Sequence, residues 1–109
     1  MLLLVTSKLS EQDLKSAGED LDGYVKFVVD LEKGIMTVGG ERHVQGEELL
    51  LQNGSEQKNL WGGGYDLETK QITFDSIINN KPGVNSSSDI LDPELRRKFE
   101  VIVRRLLGV

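Results

Sequence analysis

Tyr24-Val25-Lys26-Phe27-Val28-Val29-Asp30-Leu31-Glu32-Lys33-Gly34-Ile35-Met36-Thr37-Val38-Gly39-Gly40 is the stretch that decides the fold. Two runs rich in β-branched residues, Tyr24–Leu31 and Ile35–Gly39, flank Glu32-Lys33-Gly34, where Gly34 can supply the positive φ of a bulged hairpin turn. A β-hairpin is therefore predicted, and Gly39-Gly40 stops its second strand.

Toward the N-terminus, Leu2–Thr6 reads as a buried strand. Ser10 then caps a short helix, with Asp13 three residues on and Leu9 and Leu14 placed as a hydrophobic staple. Leu14, Ala17, Gly18 and Leu21 form its apolar stripe, and Gly23 ends the segment. Toward the C-terminus, Val44–Gln52 reads as a short helix closed by Asn53-Gly54. A second hairpin is predicted, running out from about residue 57 to 66, turning at Leu67–Lys70 and returning over about 71–79. Gly62-Gly63-Gly64 interrupts its first strand, as at a bulge that lets Trp61 and Tyr65 pack or where something approaches the backbone closely. Residues 80–88 have loop composition. Asp92-Pro93 opens the last helix as N-cap and N1, and Leu95, Phe99, Ile102, Val103 and Leu106 make its apolar face. The order β-α-β-β-α-β-β-α predicts an α+β fold: one mostly antiparallel sheet built from an N-terminal strand and two hairpins. Two short helices and a longer C-terminal one would cover one face of it.

The chain has 109 residues, room for a single domain spanning 1–109. It has no cysteine, which excludes disulfides and thiolate metal sites and fits a reducing cytoplasm. No run approaches the length of a membrane helix, so no membrane association is expected. The net charge of −5 argues against non-specific nucleic-acid binding, although residues 89–109 alone carry four acids and five bases. Those bases lie near a helix C-terminus, where cations complement the macrodipole. No Walker-type loop exists, because the three glycines are not followed by Lys-Ser/Thr. The acids Asp30, Glu32, Glu41 and Glu47 with His43 match no metal-loop spacing, so neither metal nor cofactor is expected.

Val29-Asp30, Gly39-Gly40-Glu41 with His43, Gly54-Ser55 with Gln57, Leu60-Trp61-Gly62, Phe74-Asp75-Ser76 with Ile78-Asn79, and Lys81-Pro82 together resemble a family of small bacterial proteins known as a domain of unknown function. The resemblance covers most of residues 24–107 and implies no activity. It leads one to expect arginine where this chain has Lys81 and Ser86, which argues against a bidentate anion grip.

The residues with chemistry to offer are His43, Ser55, Gln57, Asp75, Asn79 and Lys81. Strand alternation over Ile72–Asn79 puts Asp75 and Asn79 on one face. If the segments carrying His43 and Ser55 lie beside that face, an imidazole, a hydroxyl and a carboxylate converge. The leading expectation is a small interaction or ligand-binding module that self-associates. It would present residues 40–43, 55–61 and 75–85 as one polar surface, with Ser55, Gln57, Trp61, Asn79, Lys81 and Asn85 contacting a protein or small-molecule partner. The alternative is a hydrolase or nuclease-like enzyme in which His43 is general base or acid, Asp75 orients it and Asn79 or Lys81 steadies an anion. A third reading is an antitoxin-like regulator linked to nucleic acid.

Overall fold

The structure is a computed structural model that describes residues 1–109. The hairpin forms as its sequence requires: β2 (Tyr24–Asp30) and β3 (Ile35–Gly39) pair antiparallel. The turn has a device beyond Gly34 at φ 68°. The buried Asp30 carboxylate accepts hydrogen bonds from the backbone N–H of Glu32 and Lys33 at 2.9 Å each, closing the loop on itself.

Around the hairpin grows a five-stranded antiparallel sheet of order β1-β3-β2-β4-β5, in which β1 is Leu2–Val5, β4 Leu60–Asp66 and β5 Ile72–Thr73. The helices are α1 (Glu11–Ala17), α2 (His43–Gln52) and α3 (Pro93–Leu107). The caps at Ser10, Asp92 and Asn53-Gly54 are those expected. Ser10 Oγ accepts from Asp13 N–H, Asp92 accepts from Glu94 N–H with Pro93 behind it, and Gly54 and Gly108 leave α2 and α3 with positive φ. None of these helices is long and apolar enough to cross a membrane.

The sheet is covered on both faces, not one. Val25, Phe27, Val29, Met36, Val38, Trp61 and Tyr65 point to the side packed by Ala17 of α1 and by Phe99, Ile102, Val103 and Leu106 of α3. On the opposite side Val28 and Leu60 meet Leu50 of α2 and Ile78. The reason lies in β2, where Val28 stands between the inward Phe27 and Val29. Three apolar neighbours in a row cannot share a face, so the second face needs a cover of its own. α2 lies close because Gly46 has no side chain. A Cβ there would strike Thr37 Oγ1 and lie 3.1 Å from Val28 Cγ2.

Three further expectations give way. β1 is an edge strand in which only Val5 is fully buried. The glycines of β4 make no bulge, since Trp61 to Tyr65 pair with Val29 to Val25 in unbroken register. The return strand of the second hairpin is two residues long. After Thr73 the chain leaves the sheet, Asp75 making only an isolated bridge to Asp89, and Ile77–Asn79 forms a 3₁₀ turn. Asp75 and Asn79 therefore do not share a strand face, because alternation ends where the strand does.

Candidate binding cleft

The early exit of the chain from β5 opens a cleft of about 570 Å³ on the α2 side of the sheet. Tyr24 and Lys26 of β2 line it, with Arg42, His43 and Val44 at the start of α2 and Asp75, Ser76 and Ile77 opposite. Each wall has a local cause.

Gly39 and Gly40, at φ 92° and 80°, turn the chain from β3 into α2. The side-chain oxygen of Gln45 accepts from the backbone N–H of both Glu41 and Arg42, tying down the helix start and placing His43 in the first turn over β4. There His43 Nε2 donates to the carbonyl of Gly63 at 2.7 Å. Gly62 explains how it gets so close, and its two glycine neighbours make room for other side chains. A Cβ on Gly62 would sit 2.7 Å from Ser76 Cβ and 3.0 Å from His43 Cδ2, one on Gly63 would lie 2.9 Å from Phe99 Cζ, and one on Gly64 would strike the Tyr24 ring. The run of glycines is thus a seat for four side chains, which is the close-approach reading of the sequence. Tyr24 in turn shares a 2.7 Å hydrogen bond with Thr73 Oγ1.

The opposite wall is held by Asn79, which is fully buried and does the work of a missing strand. Its Oδ1 accepts from Gly62 N–H at 2.8 Å, and its Nδ2 lies within hydrogen-bond distance of the carbonyls of Gly62, Phe74 and Ser88. Asp75 and Ile77 are thereby left exposed at the cleft.

Burial lowers the proton affinity of His43, and the positive charge of Lys26 pushes the same way; the Gly63 hydrogen bond and Asp75 oppose them. With the ring neutral and Nε2–H donating its hydrogen bond to the Gly63 carbonyl, the lone pair resides on Nδ1. Burial likewise raises the Tyr24 phenol, with the Thr73 hydrogen bond opposing. Lys26 and Arg42 bring two positive charges to a cleft whose one carboxylate is Asp75.

Of the residues singled out in the sequence, the cleft brings together His43 and Asp75, and no hydrogen bond joins them; the orienting contact on His43 is the Gly63 carbonyl. Asn79 backs the cleft wall without lining it, and the others lie outside the cleft. Ser55, at the far end of α2, donates to buried Asp30 at 2.6 Å. Trp61 faces the α3 side within the main core. The Lys81 ammonium lies 5.1 Å from the Trp61 ring centroid and donates to the Gln57 carbonyl at 3.0 Å. Burial lowers its proton affinity, opposed by Glu47. Gln57 is exposed and lies 3.4 Å from Glu47. Asn85 is buried inside its loop, accepting from Leu91 N–H and reaching the carbonyls of Asn79, Ser87 and Asp89. Tyr24, Lys26 and Arg42 escaped the sequence reading. Alternation in β2 sets Tyr24 and Lys26 on the Val28 face, a signal that was present but had no meaning until α2 was known to cover that face.

Nowhere do three His, Asp or Glu side chains gather as a set of metal ligands. Along α3, Arg104 pairs with Glu100 at 2.8 Å, Arg105 donates to the Gly34 carbonyl at 2.9 Å, and Arg96 lies over the Phe74 ring at 4.0 Å. Much of the basic charge of the last helix is therefore engaged within the molecule.

Fold and cleft together define a small α+β protein whose antiparallel sheet is covered on both faces and opens a basic, histidine-containing cleft beside its short edge strand. Over residues 3–106 the chain matches the family described as protein of unknown function (DUF5674), and it belongs to that family. No curated protein and no solved structure matches it.

Proposed function

We propose that the protein is a ligand-binding module that works through the His43 cleft and takes a small molecule bearing an anionic group. One observation carries this reading: in a chain of net charge −5, Lys26 and Arg42 line one cleft with a histidine disposed to be neutral. A local excess of positive charge in a concave, partly desolvated wall attracts anions more strongly than the same charges on open surface. The volume suits a small molecule, since such sites span roughly 300–1,000 Å³. Val44 and Ile77, 44% and 77% exposed, offer apolar contact at the rim. His43 Nδ1 is free to accept a hydrogen bond from the ligand.

The test is titration of isotope-labelled protein with inorganic phosphate, sugar phosphates and nucleotides in turn, reading amide shifts. Shifts at Tyr24, His43, Ser76 and Ile77 are expected with at least one of them. The double substitution Lys26→Ala, Arg42→Ala should weaken that binding by about a hundredfold or more, since each charged hydrogen bond to the anion contributes roughly 1.5–3 kcal/mol. Absence of any shift in the cleft with all of these anions would overturn the reading. An enzymatic use of the cleft would have to run through His43 Nδ1, because Nε2 is committed to Gly63. In that case His43→Gln abolishes turnover and leaves anion binding in place.

A further inference from the structure

The two edges of the sheet are treated differently, and the difference points to a partner. At the β4 edge the backbone is closed: β5 covers Gly64 and Tyr65, and the Asn79 side chain takes the N–H and C=O of Gly62. At the β1 edge nothing does this. Successive strand residues send their N–H and C=O to alternate sides. Since those of Gly62 point away from β2, the observed registers make Gly63 bond Phe27, Val28 bond Thr37, and Val38 bond Leu3. The N–H and C=O of Leu2 and Leu4 then face outward, and no group in the protein bonds them.

Exposed edges are ordinarily blunted by shortness, a charge, a proline, a bulge or a cover, and of these β1 has only its length of four residues. The segment Leu2-Leu3-Leu4-Val5 carries no charge and no proline, pairs with β3 in regular register, and leaves the Leu4 side chain 38% exposed. Water can satisfy these donors and acceptors singly, and an extended strand can satisfy the whole row in register.

We infer that β1 is a self-association edge, and that its partner is β1 of a second copy of this chain, running antiparallel across a two-fold axis. The strand is self-complementary in one particular register. Leu2 of each copy faces Leu4 of the other, so both outward pairs exchange their N–H···O=C bonds, and the axis passes between the two Leu3 residues. Every cross-strand pair in that register is apolar over Leu2–Leu4, and no like charges are opposed. The two sheets join into one of ten strands. Because each copy carries −5, salt should favour the pair.

The experiment is sedimentation equilibrium of the full chain over a range of protein and salt concentrations, with amide exchange read at Leu2 and Leu4. The expected result is a doubling of mass that salt promotes, and slower exchange of those two amides as protein concentration rises. Leu4→Pro removes an outward N–H and leaves the bonds to β3 intact, so it should return the protein to a monomer. A wild-type protein that stays monomeric throughout overturns the inference. So does a dimer in which the Leu2 and Leu4 amides exchange as fast as in the monomer, a reading that does not depend on whether the proline variant folds.

Discussion

The charge on His43 is set by the residues packed around it. Gly62 in β4 admits the ring, the Gly63 carbonyl accepts a hydrogen bond from Nε2–H, and burial disfavours the imidazolium. Its proton affinity therefore lies below that of a free histidine, and the sign of the consequence follows. Between its folded-state pKa and the ordinary value near 6.5 the unfolded chain binds the proton and the folded chain does not, so acid favours unfolding in that window. The contribution is fully present above pH 6.5 and is lost as the pH falls through the folded-state value. We expect an NMR titration to place the His43 midpoint below 6.5, and His43→Gln to flatten the pH dependence of denaturant stability across that window. A midpoint above 6.5 would mean that Asp75 and Gly63 outweigh burial. Ser55 and Asn85, by contrast, have their polar atoms engaged in holding the hairpin turn and the loop after Asn80.

Among the elements, the short β5 is the informative one. A full return strand would have covered Gly62 and filled the cleft; instead the chain departs after Thr73 and Asn79 bonds Gly62 from its 3₁₀ turn. Asn79→Ala would orphan the N–H and C=O of Gly62, whereas the Phe74 and Ser88 carbonyls keep the N–H groups of Ile90 and Ser76. Each buried polar group left without a partner costs about 1–3 kcal/mol, so a loss of about 3 kcal/mol or more is expected, measured by urea denaturation. The loss should be accompanied by movement of the amide signals of Ser76 and Ile77, since the cleft wall rests on this side chain. A loss below about 1 kcal/mol would show that the 74–79 segment is held by other means, such as the Ile90 to Phe74 bond.

At the scale of the whole molecule, the cleft and the β1 edge lie toward opposite ends of the sheet, with β3 between them. No element that lines the cleft takes part in the proposed strand pairing, although α2 packs near both ends. We therefore expect anion affinity in the cleft to be the same for wild-type protein and for Leu4→Pro, and the same at protein concentrations where the wild type is monomeric or dimeric. Calorimetric titration at two protein concentrations measures this. A dependence on concentration would reveal coupling through α2.

The hydrophobic pattern of this chain determined which segments pair and which coil. The Gly34 turn, the caps at Ser10 and Asp92, the Asn53-Gly54 stop and the apolar stripe of the last helix are local features, each specified by residues within a few positions of one another, and all of them form. Tertiary structure decided the rest. Whether the apolar Val28 needs a helix above it, whether the glycines of β4 make a bulge or a seat, and whether the chain stays in the sheet after Thr73 depend on partners beyond the reach of a local turn, among them Leu50, His43 and Ser88. The candidate site follows the same division. His43 and Asp75 were legible as the polar residues most worth following, and Arg42 stands beside His43 in the chain, but Lys26 became a neighbour of His43 only when α2 settled on the far face of the sheet, a choice made by packing that no local run of residues encodes.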